Sequence, residues 1–127
     1  MRYFLVFFLM AYCFFVNAES KEKYYVSFDQ CVLEIPSGFI LSVLSPYREI
    51  YDNPNSHGTL IFGDYVGAQS DNVEIIKSQY LGYLFVETLR YKRRDLSDIF
   101  LIHDESSSLL MINGNRDLAI DMALSCQ

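Results

Sequence analysis

The clearest periodicity in the chain runs from Tyr83 to Tyr91, where Tyr83, Phe85, Glu87, Leu89 and Tyr91 alternate with Leu84, Val86, Thr88 and Arg90. A period of two puts these sets on opposite faces of a β-strand. Shorter apolar runs mark further strands. Phe39 to Leu44, stopped by Ser45-Pro46, is one; Thr59 to Val66 is another, centred on Leu60-Ile61-Phe62 with Gly63 as a bulge or a point of close approach. Tyr24 to Ile35 alternates more loosely and reads as one extended segment closed by the turn cluster Pro36-Ser37-Gly38. Val73 to Tyr80 fits two templates, since Val73, Ile76 and Tyr80 make a helical stripe and Val73 and Ile75 a strand face; the strand is preferred. Ile99 to His103 and Leu109 to Ile112 flank five polar residues, Asp104 to Ser108, as in an antiparallel hairpin.

The period changes after Asn113-Gly114. Asn115 is placed to accept a backbone hydrogen bond as an N-cap, Asp117 sits in the first turn, and Leu118, Ala119, Met122, Ala123 and Cys126 recur at helical spacing. Five or six successive strands and then one terminal helix predict an α+β domain: a small antiparallel sheet with the C-terminal helix packed on one face. Tyr51 to Gly58, with Pro54, two asparagines and a glycine, is the longest turn-rich passage and predicts an exposed loop.

The N-terminus adds a compartment. Residues 1–18 carry one cation, Arg2, then an apolar run from Tyr3 to Val16, and Val16-Asn17-Ala18 suits signal peptidase, which predicts cleavage between Ala18 and Glu19. At about 1.5 Å per residue the run reaches only about 21 Å, short of a hydrocarbon core about 30 Å thick. It therefore reads as a cleavable signal, leaving residues 19–127 as one small domain with no stable membrane span. An uncleaved or lipid-modified anchor is the rival reading, but Cys13 follows Tyr12 rather than a small residue. Cys31 and Cys126 remain after cleavage, and an even pair in an exported chain predicts one disulfide. No Cys-x-x-Cys spacing points to redox chemistry.

Removing the signal changes the charge and the aromatic content. Arg2 leaves with it, so nine basic residues face sixteen acidic ones and the net charge falls from −6 to −7. That balance opposes nucleic-acid binding. Arg90-Tyr91-Lys92-Arg93-Arg94 is a local basic exception, read as a solvated strand end that discourages edge-to-edge association. Seven of the twenty aromatic residues lie in the first eighteen positions, yet eight of the ten tyrosines remain.

Little in the chain points to catalysis. The two histidines are His57 and His103, and in His103-Asp104-Glu105-Ser106 the first two side chains point to opposite sheet faces and cannot share a site. His103 then reads as a strand-end residue meeting solvent or a carboxylate. Asn53, Asn55, His57, Gly58 and Asp64 imitate a calcium loop imperfectly, with Asn at its first position and Asp in place of the last Glu. Zinc lacks four ligands, Gly63-Asp64-Tyr65-Val66-Gly67 has no lysine for a phosphate loop, and neither Gly-x-Ser-x-Gly nor His-Glu-x-x-His occurs. No catalytic residue, metal or cofactor is assigned.

Binding remains. Tyrosine gives contact area while keeping a polar tip, so Tyr47, Tyr51, Tyr65, Tyr83 and Tyr91, with His57 in the turn-rich loop, are the candidate partner contacts. Tyrosine filling the rim of the core is the plainer alternative. The expected function is a periplasmic or secreted acidic protein that binds a protein partner, as inhibitors and immunity proteins do. A small-ligand binder with an apolar cavity between sheet and helix is the alternative, and a small hydrolase a more distant one.

Overall fold

A computed structural model describes residues 23–67, 72–92 and 98–126. The elements are β1 (Tyr25–Ser27), β2 (Val32–Glu34), β3 (Ile40–Leu44), β4 (Arg48–Asp52), β5 (Thr59–Asp64), β6 (Val73–Leu81), β7 (Leu84–Tyr91), β8 (Ile99–His103), β9 (Ser107–Ile112) and α1 (Arg116–Ser125). β1 and β2 form a separate two-stranded sheet; the other seven strands form one sheet in the order β3-β4-β5-β9-β8-β7-β6. Every neighbouring pair in it is antiparallel. The architecture is α+β and mostly β, with more strands than the five or six expected. Residues 1–18 and the Arg93-Arg94 part of the basic run lie outside the described residues.

The extra strands come from two places. Tyr24 to Ile35 is not one extended segment: Phe28 N–H donates to Cys31 O at 2.8 Å and folds it into the β1–β2 hairpin, with Val26 opposite Leu33. β4 occupies Arg-Glu-Ile-Tyr-Asp, where charged residues hid the strand pattern, so the turn-rich loop shrinks to residues 53–58. In that loop Asn53 Oδ1 accepts the N–H groups of Asn55 and Ser56, and His57 adopts a left-handed φ of 58°. β6 is a strand as preferred, and its mixed periodicity has a local cause. The ladder to β7 shifts register between Ile75 and Lys77, so the residues on either side of Ile76 follow different parities.

The sheet has two unlike faces. One carries Leu60, Leu84, Val86, Phe100, Ile102, Leu109 and Met111, all buried under the β1–β2 hairpin and α1. The hairpin covers its own part of the sheet with Tyr24 against Tyr51 and Phe28 edge-on to Phe62, at centroid distances of 5.5 and 5.6 Å. α1 begins as expected, Asn115 Oδ1 accepting from Asp117 N–H and Leu118 N–H, and buries Ala119, Met122 and Ala123. In the turn leading into it Gly114 lies against the buried Met111 side chain, which a Cβ there would displace. The opposite face holds a smaller cluster, Leu89, Ile99 and Leu101, and has no helix on it among the described residues.

Connectivity explains what lies on that second face. β5 ends at Asp64 opposite Ser107, while β6 starts at Val73 opposite Tyr91, at the other end of the sheet. β9, β8 and β7 lie between these two strands. Tyr65 follows β5 on this face, anchored by its N–H to Ser106 O at 2.9 Å.

Two ties hold the hairpin down. Cys31 and Cys126 are buried and joined in a disulfide across 95 residues, with the Cα atoms 5.4 Å apart; Cys126 caps the end of α1. Asp104 supplies the second. Its Oδ1 accepts Ser106 N–H and Ser107 N–H in the β8–β9 turn, and its Oδ2 reaches Asp29 N–H at 2.8 Å. Burial alone would raise the Asp104 carboxyl, but the N–H groups of Ser107, Asp29 and Ser106 together hold it below its ordinary value.

Replacing both Cys31 and Cys126 with Ala is expected to lower the unfolding free energy by about 2–4 kcal/mol in urea titration, the range for a long closed loop. A loss under about 1 kcal/mol would show that packing alone holds hairpin and helix. Asp104→Ala is expected to cost about 1–2 kcal/mol at neutral pH, discounted for partial exposure. Because the folded value is depressed, this contribution is complete above the unfolded value near 4 and fades as pH falls through the folded one. Wild-type and variant stabilities should therefore converge on acidification from about pH 5 to about pH 2.

Candidate functional site

On the face away from α1 lies an open cleft of about 450 Å³. Its floor comes from five adjacent strands: Ile61 on β5, Leu110 on β9, Leu101 on β8, Leu89 on β7 and Val73 on β6. Ile61 stands opposite Leu110, and Leu110 opposite Leu101, so the floor is a continuous row of aliphatic side chains. Tyr47, Arg48, Tyr65 and Tyr91 also line it and bring phenol and guanidinium groups to an apolar base, and Asp64 borders it at the end of β5. The small-ligand alternative calls for a cavity between sheet and helix; this cleft lies instead on the opposite face of the sheet, and the hairpin and α1 pack against the first.

Local structure sets these side chains. Ser45 Oγ accepts Arg48 N–H at 3.1 Å and Ser45 N–H reaches Arg48 O at 2.9 Å, closing the β3–β4 turn so that Tyr47 is 84 % exposed. Gly63 is a close-approach point and not a bulge: its ladders run without a register shift, and a Cβ would lie 3.1 Å from Tyr47 O. Tyr65 is raised above the usual phenol value, first by burial and then by the Glu87 and Glu105 carboxylates.

Beneath Tyr65 lies a polar pair that the sequence reading assigned no task. His103 is 3 % exposed and is stacked between Tyr65, at 4.1 Å and 11°, and Phe85, at 5.2 Å and 17°. Tyr80 extends the array by packing on Phe85 at 4.8 Å. Glu105 N–H donates to His103 Nδ1 at 3.2 Å, which leaves the ring proton on Nε2, facing Glu87 Oε1 at 3.0 Å. The other oxygen, Glu87 Oε2, is buried without a hydrogen-bond partner among the described residues. A buried pair with one oxygen unsatisfied gains little over an apolar replacement of both partners. Its signal in the sequence was Glu87 itself, a charged residue within the otherwise apolar and aromatic set Tyr83, Phe85, Leu89 and Tyr91. The neighbouring Asp104 indeed takes no part, being engaged in the turn.

The sequence candidates separate accordingly. Tyr47, Tyr65 and Tyr91 meet at the cleft. Tyr51 is a core residue, 2 % exposed, its hydroxyl donating to Glu49 Oε2 at 2.6 Å. Burial, reinforced by that carboxylate, pushes its phenol up. Tyr83 is exposed in the Gly82-Tyr83 turn between β6 and β7, and His57 is exposed at the far end of the sheet from Tyr47. Asn53 and Asp64, read as parts of one calcium-like loop, lie at opposite ends of β5. Arg48 and Asp64 went unrecognised as cleft residues because only the pairing of β4 with β5 brings them together.

Among the described residues no group of three or more His, Cys, Asp or Glu is placed to hold a metal ion, and no helix is long and apolar enough to cross a membrane. No family model, no curated protein and no solved structure matches the chain.

Glu87→Leu is expected to cost about 2–3 kcal/mol, since it strands a buried imidazole N–H. Glu87→Leu with His103→Phe should recover to within about 1 kcal/mol of wild type, because both polar partners are then gone. Urea titration of the four proteins of this cycle measures it. A double variant no more stable than Glu87→Leu alone would show that the ring is needed for its bond to Glu105.

Proposed function

We propose that this chain is an exported acidic binding protein whose tyrosine-rimmed cleft receives an apolar segment of a protein partner. The convergence of Tyr47, Tyr65 and Tyr91 on one cleft carries this reading. Aromatic side chains around an aliphatic floor are the composition of an interface core, and Arg48 adds a polar group that fixes orientation. The Cys31–Cys126 disulfide is compatible with an oxidising compartment, in keeping with removal of residues 1–18 as a signal. With sixteen acidic residues against ten basic, the chain's field attracts a basic partner and speeds encounter. An inhibitor or immunity protein would use its cleft in this way.

A small apolar ligand is the second reading, favoured by one observation. The cleft volume of about 450 Å³ falls within the range of about 300–1,000 Å³ common for ligand pockets.

The protein, recovered oxidised in the form its cell exports, serves as bait for affinity capture from native extract at about 50 and 150 mM salt. One abundant partner, held less well at the higher salt and about tenfold or more weakly by Tyr47→Ala with Tyr91→Ala, is the expected result. Capture unaffected by those substitutions would move the interface away from the cleft. Absence of any partner, with a ligand-dependent thermal shift that needs Leu101 and Leu110, would favour the small-ligand reading.

A further inference from the structure

The seven-stranded sheet has two edges, β3 and β6, and they are guarded very differently. β6 carries Glu74 and Lys77 around a bulge, and Glu74 is held by Arg90 at 2.6 Å. Charges and bulges are devices that stop an edge from accepting another strand. β3 reads Ile-Leu-Ser-Val-Leu, and no charged residue occurs between Glu34 and Arg48. Its one guard is a register shift between Leu41 and Val43, and there Ser42 Oγ donates back to Ile50 O at 3.1 Å. Ile40, Val43 and Leu44 are 56, 46 and 69 % exposed. Among the described residues no strand pairs with the outer side of β3.

We propose that β3 is a strand-addition site and that its occupant is a second copy of this chain, the two β3 strands pairing antiparallel across a two-fold axis. An edge strand offers backbone N–H and C=O groups to any extended segment, so side chains select the occupant. A basic segment drawn by the chain's acidic field finds no carboxylate on β3 to meet. Two copies repel through the net charge of −6, but along this strand they bring no like charges together. An isologous contact sets Ile40, Val43 and Leu44 of each copy against the same apolar surface on the other. The five-residue seam buries less than the roughly 1,200 Å² of a stable interface, so the dimer is weak, with Kd on the order of 10–500 μM. Salt strengthens it by screening the mutual repulsion, the opposite of its effect on capture of a basic partner at the cleft.

Sedimentation equilibrium of the oxidised, exported protein from about 5 to 1,000 μM at about 50 and 300 mM salt tests this, with backbone hydrogen exchange measured at both ends of the range. A monomer–dimer equilibrium strengthened by salt is expected, with the β3 amides gaining protection as concentration rises. Val43→Lys should weaken it at least tenfold, and Val43→Thr, equally β-branched and uncharged, should retain it. Thermal unfolding of each variant checks that it folds, and Leu44→Lys replaces Val43→Lys if that variant does not. A monomer at every concentration, a dimer indifferent to the lysine, or one that leaves β3 amides unprotected overturns the proposal.

Discussion

Six residue pairs between β5 and β9, from Thr59 opposite Ile112 to Asp64 opposite Ser107, join the two halves of the large sheet. On one side stand β3, β4 and β5, on the other β6 to β9, each a run of strands connected in order. Without this ladder neither half has a complete face. Leu60 beside Met111 closes the main core, and Ile61 beside Leu110 closes the cleft floor, so a single register governs both. A slip by one residue would exchange the two faces, putting Leu60 on the cleft side and Ile61 beneath the hairpin.

The same ladder explains why polar groups gather where they do. Because β5 ends beside the start of β9, Tyr65 meets the β8–β9 turn and lies on His103. Tyr65 thereby shelters the Glu87–His103 pair from water and, with Val66, forms part of the cleft wall. The pair lies beneath an aromatic array, and the cleft beside it is broad and aliphatic. Their chemistry differs, and the cleft alone carries the functional reading.

Local order was largely legible in the sequence. The alternation around Phe85 and Glu87, the hairpin around Asp104 and the cap at Asn115 all have short-range signals, and the even cysteine pair indicated the bridge. What was lost was lost for physical reasons. β4 carries three charged residues among five yet is held between two neighbours, so pairing, not propensity, makes it a strand. Tyr51 looked like a surface residue because it adjoins Asp52-Asn53-Pro54, whereas β1–β2 folding over the sheet buries it beneath Tyr24. The cleft joins Arg48, Asp64 and Tyr91 from distant parts of the chain, and no spacing rule within one sequence could have collected them.

The disulfide has a consequence in time. Cys126 is made 95 residues after Cys31, which at about 5–20 residues per second is a delay of about 5–19 s. During that interval the one other cysteine already made is Cys13, eighteen positions before Cys31. The native bridge can therefore form only after every strand of the fold has been made, so it locks a finished architecture and cannot guide the first pairings.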